Sequence, residues 1–168
     1  GTALVDMYIK CGLLEIAQQV FNELPILDKV SWTAVILAYS QHGHSMEALD
    51  CFNQMQFEGI SPDAVTFSSI LKVCSSIGAL EKGEEIHANI VRDGILGKDS
   101  VLGVGLVHMY ARCNALLKAE QVFNMLPIQD VVSWTALIAG YAQNGEHEIV
   151  FKLFNKMVGE GIKPNLVT

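Results

Sequence analysis

A chain of 168 residues, 51% hydrophobic and with a net charge of −7, has room for one ordinary domain or a short repeat array. The acidic balance speaks against a strong, sequence-independent grip on nucleic acid, which comes from Lys and Arg neutralising phosphates. No run approaches the ~18 uninterrupted apolar residues of a membrane span, and GTALVDMY has neither a basic start nor the Arg/Ser-rich character of a targeting peptide.

Taken in order, the chain is a series of helical hairpins. In Gly1–Asp28, Leu4, Met7, Tyr8 and Cys11 share one face of a first helix, and Cys11-Gly12 breaks it. Ala17, Val20, Phe21 and Leu24 then mark a second helix, stopped by Pro25. Lys29–Asp63 is longer, with Trp32, Val35, Ile36 and Tyr39 followed by Ala48, Cys51, Phe52 and Met55. Ala64–Asp99 carries Phe67, Ile70, Leu71 and Cys74, then Gly83, Ile86 and Ile90, and its exit lacks a proline. His87 lies on that last stripe, where a histidine is more often a satisfied core residue than a ligand. Ser100–Asp130 repeats the short form through Leu106, Met109, Tyr110, Cys113, Ala119, Val122, Phe123 and Leu126. Val131–Asn165 repeats the long one through Trp134, Leu137, Ile138, Tyr141, Val150, Leu153, Phe154 and Met157. Leu166–Thr168 opens a further hairpin, so a piece of a longer array is expected.

A hairpin of two short helices cannot bury both apolar faces by itself, so it needs stacked neighbours. Gly1–Thr66 laid on Gly103–Thr168 matches at roughly half the positions without a gap, a larger period of 102 residues. The expected fold is all-α: a right-handed α-α superhelical solenoid of five helix-turn-helix repeats, with no domain boundary inside it. Cys11, Cys51, Cys74 and Cys113 form no C-x-x-C pair and read as small core residues of a reduced protein, not as metal ligands or disulfides. No cofactor or metal is expected.

The endings GISPD and GIKPN, the opening V-S-W-T-A and the short motif L-V-x-M-Y-x-[KR]-C resemble pentatricopeptide repeats. The alternating lengths resemble the plant PLS subclass in the order S (1–28, truncated), P (29–63), L (64–99), S (100–130), P (131–165), with 166–168 starting another. The resemblance implies a non-enzymatic protein that binds single-stranded RNA in mitochondria or chloroplasts, about one base per repeat, in RNA processing or editing. In that family the fifth residue and the last residue of a repeat choose the base. Here the pairs are Thr2/Asp28, Thr33/Asp63, Ser68/Asp99, Val104/Asp130 and Thr135/Asn165. Val30, Val65, Val101 and Val132 would flank the bases. Of the thirteenth-position residues Lys10, Gln41, Ser76, Arg112 and Gln143, the basic Lys10 and Arg112 would meet phosphate.

The chemistry of these side chains agrees. An Asp carboxylate only accepts and suits the N–H donors of guanine or uracil, whereas an Asn amide both donates and accepts and can match adenine or cytosine. Thr2/Asp28 and Thr33/Asp63 should favour G, and Thr135/Asn165 should favour A. Ser68/Asp99 nominally favours G, although L-type repeats follow the family's code poorly. Val104 donates nothing and leaves its repeat nearly blind. Without the resemblance, these threonines and aspartates would read first as helix caps.

The competing class is a protein-interaction scaffold for an organellar editing cofactor or another such chain, which the acidic charge favours. The first and last hairpins also present apolar faces around Leu4/Met7 and Val150/Phe154, from which self-association is expected. An enzyme is the remaining class. No H-x-E with a following C-x-x-C occurs, so the zinc-deaminase signature of the DYW domain that often follows such arrays is missing.

Overall fold

Each of the ten apolar stripes forms a helix in the computed structural model, which describes residues 2–96, 100–166 and 168. They are α1 (Thr2–Lys10), α2 (Leu14–Asn22), α3 (Lys29–Gln41), α4 (Ser45–Phe57), α5 (Ala64–Ile77), α6 (Leu80–Arg92), α7 (Ser100–Arg112), α8 (Leu116–Met125), α9 (Val131–Gln143) and α10 (His147–Gly159). There is no strand among the described residues, and no helix among them is long and apolar enough to cross a membrane.

The chain divides into two units, Gly1–Val73 and Cys74–Thr168, and the division falls inside α5. In the first unit α1 packs on α2 and α3, and α3 packs on α4. Its core holds Val5, Ile9, Phe21, Trp32, Ile36, Tyr39, Phe52, Met55 and Phe67. In the second, α7 packs on α6, α8 and α9, and α9 packs on α8 and α10. Its core is built from Ile86, Ile90, Leu106, Met109, Phe123, Trp134, Leu137 and Met157. The first helices of successive hairpins therefore lie side by side in each unit, α1 against α3 and α7 against α9.

The turns explain the two hairpin lengths. After α3, Gly43 takes φ +79° and His44 N donates to Tyr39 O at 2.9 Å, closing the helix with a left-handed residue. After α7 the same turn is made by Asn114 at φ +59°, with Ala115 N on Tyr110 O at 2.8 Å. Asn is the non-glycine residue best suited to that region. The long hairpins repeat this closure at their ends, where Ile60 N donates to Met55 O and Ile162 N to Met157 O. The short ones stop at Leu24 N on Phe21 O and Leu126 N on Phe123 O, next to Pro25 and Pro127, so they lose most of a turn.

Two expectations are corrected. On α1 the buried residues are Val5 and Ile9, while Leu4 and Met7 are 44% and 45% exposed. Only packing against α2 and α3 decides between these neighbouring stripes, since both have helical spacing. Of the cysteines, Cys51 and Cys74 are buried, with thiols pushed by burial up to about 12 and about 11. Cys113 is half-buried beside Cys74 O, and Cys11, just past the end of α1, is exposed.

Hairpins within a unit are tied by a tyrosine on three of the first helices, α3, α7 and α9. Tyr39 OH donates to Gln18 Oε1 at 3.4 Å, Tyr141 OH to Glu120 Oε2 at 3.2 Å, and Tyr110 OH lies 2.9 Å from His87 Nδ1. His87 is thus a partnered, half-buried histidine. Burial holds its imidazole below the usual 6.5, helped by Lys118, and burial with Arg112 does the same for His108. The unfolded chain therefore takes up these protons first on acidification. The stability they contribute is full above pH 6.5 and is lost as pH falls through their lowered values. The urea midpoint of the Cys74–Thr168 unit is accordingly expected to drop between about pH 7.5 and about pH 5.5, and less so in His87→Asn. A midpoint independent of pH over that range would contradict this.

Candidate nucleic-acid interface

The residues ending the hairpins start the helices that follow. Asp28 Oδ1 accepts from Ser31 N and Ser31 Oγ, both at 2.9 Å, at the N-terminus of α3. These bonds, the backbone one first, hold the Asp28 carboxyl below the usual carboxylate range. Asp63 Oδ1 accepts from Thr66 N and Thr66 Oγ1 at 2.9 Å at the start of α5. Asp130 Oδ1 accepts from Val132 N at 3.0 Å and Ser133 N at 2.9 Å at the start of α9. All these bonds use Oδ1, and among the described residues Oδ2 of the three aspartates accepts none.

The fifth residues, Thr2, Thr33, Ser68, Val104 and Thr135, are half-buried on the first helices. Two of them are joined to the last residue of their repeat through a third side chain. Thr33 Oγ1 lies 2.7 Å from Thr66 Oγ1, which reaches Asp63. Thr135 Oγ1 lies 2.7 Å from Thr168 Oγ1, which reaches Asn165 Oδ1 at 3.0 Å. Thr168 and Thr66 were not singled out by sequence reasoning. The signal was present as a recurring [DN]-x-V-[ST] in Asp28–Ser31, Asp63–Thr66, Asp130–Ser133 and Asn165–Thr168.

Val104 and Asp130 come together without a bond, in a cleft of about 240 Å³ also lined by Val101, Ile128 and Val132. Thr2 instead opens on a groove between α1 and α3 lined by Asp6 and Gln41, and no hydrogen bond links it to Asp28. Asp99, the partner assigned to Ser68, lies outside the described residues. The valines Val30, Val65, Val101 and Val132 are 73%, 51%, 63% and 54% exposed. Apolar side chains so open to solvent at one repeated position are not part of the core.

The two basic residues are already engaged. Lys10 Nζ pairs with Asp6 at 2.8 Å, and Arg112 Nη1 donates to Gln143 Oε1 at 3.1 Å. Both lie at the surface, where an ion pair such as Lys10–Asp6 is worth little. Among the described residues there is no group of three metal-ligating side chains.

The description "PPR repeat family" matches residues 27–76 and 129–168, and "PPR repeat" matches 2–26 and 65–95. A mitochondrial pentatricopeptide repeat-containing protein of Arabidopsis thaliana is 42% identical over 99% of this chain and 24% of its own length. The chloroplastic pentatricopeptide repeat-containing protein CRR2 of the same plant is 40% identical over 99% of this chain and 26% of its own. The chain thus spans about a quarter of these relatives. Among solved structures, the pentatricopeptide repeat protein PPR10 from maize is 20% identical with a TM-score of 0.73, covering 98% of this chain and 25% of that one. PPR10 has also been solved in complex with an 18-nt psaJ RNA element, at 17% identity, a TM-score of 0.73, and coverage of 98% and 26%. These two likenesses concern the fold, whereas the matched repeats cover more than half of the sequence, and on them the chain belongs to the pentatricopeptide repeat family.

Proposed function

We propose that this chain is a sequence-specific, non-enzymatic binder of single-stranded RNA, a PLS-type array taking about one base per repeat in organellar RNA processing or editing. The observation that carries this reading is the recurrence of one geometry. At Thr33/Asp63 and Thr135/Asn165 the last residue is joined to a half-buried fifth-position hydroxyl through a third side chain. An exposed valine stands two residues after each of the capping residues Asp28, Asp63 and Asp130. Bases flanked by valines and read on their Watson–Crick edges by such pairs fit the way helical repeats assign one base to each unit. The mitochondrial and chloroplastic relatives, and the RNA bound to PPR10, support the compartment and the ligand class.

With a net charge of −7 and two basic thirteenth residues, affinity comes mostly from base pairing of side chains and little from phosphate. Titration of labelled single-stranded RNAs at several salt concentrations tests the reading: binding should be weak, base-dependent and only shallowly salt-dependent. Lys10→Ala and Arg112→Ala should weaken all sequences alike and reduce the salt slope by about one each. Binding indifferent to base identity would refute the assignment.

The second reading is a protein scaffold, favoured by the acidic charge and by the exposed Leu4, Met7, Leu13 and Ile16 at the start of the first unit. A partner such as an editing cofactor, or a second copy, would cover that apolar surface. Light scattering that shows a strict monomer at high concentration removes the self-association arm.

A further inference from the structure

The bridge through a third hydroxyl stands twice, 102 residues apart, once in each unit. We propose that Thr66 and Thr168, the third residues of the repeats that follow, are positioning residues for base choice. They touch no base, but they decide which atoms of the reading pair face it. The inference rests on the RNA-binding reading above.

Counting protons shows why. Asp63 can only accept, so Thr66 spends its single hydroxyl proton on Asp63 Oδ1. The 2.7 Å contact between Thr33 and Thr66 must then be a donation from Thr33. Thr33 is left with lone pairs, as is the far oxygen of Asp63, and the pair becomes acceptor-only. Guanine, with N1–H and the N2 amino group side by side, supplies two donors to such a pair; adenine offers an acceptor at N1 where a donor is needed.

The other site is polarised differently, through the Thr168 backbone N–H. Thr168 N can only donate, so the Asn165 atom 3.0 Å from it is the amide oxygen, and Nδ2 faces the other way. Thr135 Oγ1 also lies 2.6 Å from Val131 O, so its proton points into the protein whether Val131 or Thr168 receives it. The pair presents an amide donor next to a hydroxyl acceptor, the complement of adenine N1 and its amino group.

The test is competition between RNAs that differ only in the base facing residues 29–63, for the wild type, Thr66→Val, Thr66→Ser and Asp63→Asn. Valine keeps the shape and the backbone N–H that caps α5, but frees the Thr33 proton. We expect Thr66→Val to lower the G-over-A ratio about fivefold or more, and Thr66→Ser to restore it. Thr168→Val, at the other site, should leave the A-over-G ratio unchanged, because Val131 O keeps the Thr135 proton and the Thr168 N–H still turns the Asn165 amide. Thr66→Ala provides the measurement if Thr66→Val does not fold. A Thr66→Val protein that binds every RNA more weakly at an unchanged ratio would overturn the proposal, because that is the mark of a structural role alone. So would an unchanged ratio in Thr66→Val alongside a changed one in Asp63→Asn, which leaves the RNA reading standing. A wild type that does not distinguish bases at either repeat removes the RNA reading itself, and this inference with it.

Discussion

Asn165→Asp is expected to turn the base preference of the last repeat from A towards G by tenfold or more. The two residues are nearly the same size, and both can accept the Thr168 N–H that Asn165 Oδ1 accepts at 3.0 Å, so the backbone of this segment is kept. What changes is the far side of the side chain. The amide presents Nδ2–H, which adenine N1 can accept, while the carboxylate presents a second acceptor, which adenine N1 opposes and guanine N1–H satisfies. Leaving a buried acceptor unmatched costs about 1–3 kcal/mol, roughly a factor of 5 to 150. Competition titration of RNAs differing only at that base measures the swing. An A-to-G ratio that stays fixed while RNA binding persists would show that Asn165 does not read a base.

The largest loss of stability should come from Trp134→Ala. Trp134 is fully buried, edge-on to Phe123 with ring centroids 4.7 Å apart, and Lys156 Nζ sits 5.7 Å from its ring. Emptying that volume should cost about 3–5 kcal/mol, as large aromatic-to-alanine changes in cores do. Trp134→Phe is expected to cost about 1 kcal/mol or less, for a reason particular to this site. The indole Nε1–H is buried without a hydrogen-bond partner, so removing it sheds a desolvation penalty that offsets part of the lost volume. Urea unfolding followed by circular dichroism separates the two variants. A Phe variant as damaged as the Ala variant would mean that the N–H has a partner after all. The remaining tryptophan, Trp32, lies in the other unit, so its fluorescence in either variant reports whether the loss spreads beyond Cys74–Thr168.

The helices were readable because each repeats its apolar residues at i, i+3, i+4 and i+7, as Trp134, Leu137, Ile138 and Tyr141 do. Reading failed where that rule gives two answers. On α1, Leu4/Met7 and Val5/Ile9 both obey the period, and only the neighbours α2 and α3 select the second. Cys11 was placed in the core by the same stripe, but it follows the last residue of α1 and so escapes burial. The caps were half legible. An Asp before a helical run announces itself, as Asp28 and Asp130 do, but the link from Thr33 to Thr66 spans 33 residues. It exists only because two hairpins stack in register, and the recurring [DN]-x-V-[ST] marks Thr66 without marking its partner.

On the proposed RNA reading, the double duty of the aspartates limits the vocabulary available to such an array. A repeat's final side chain must accept the first N–H groups of the next helix, so only short acceptors such as Asp, Asn, Ser or Thr can stand there without loosening that helix. Alanine in place of Asp63 would cost about 0.5–2 kcal/mol before any base was offered. The fifth residue caps nothing, and Val104 shows that it is free to be apolar. Anyone rewriting the specificity of this chain therefore has a wide choice of letters at one position and only a few at the other, and the restriction comes from helix starts, not from RNA.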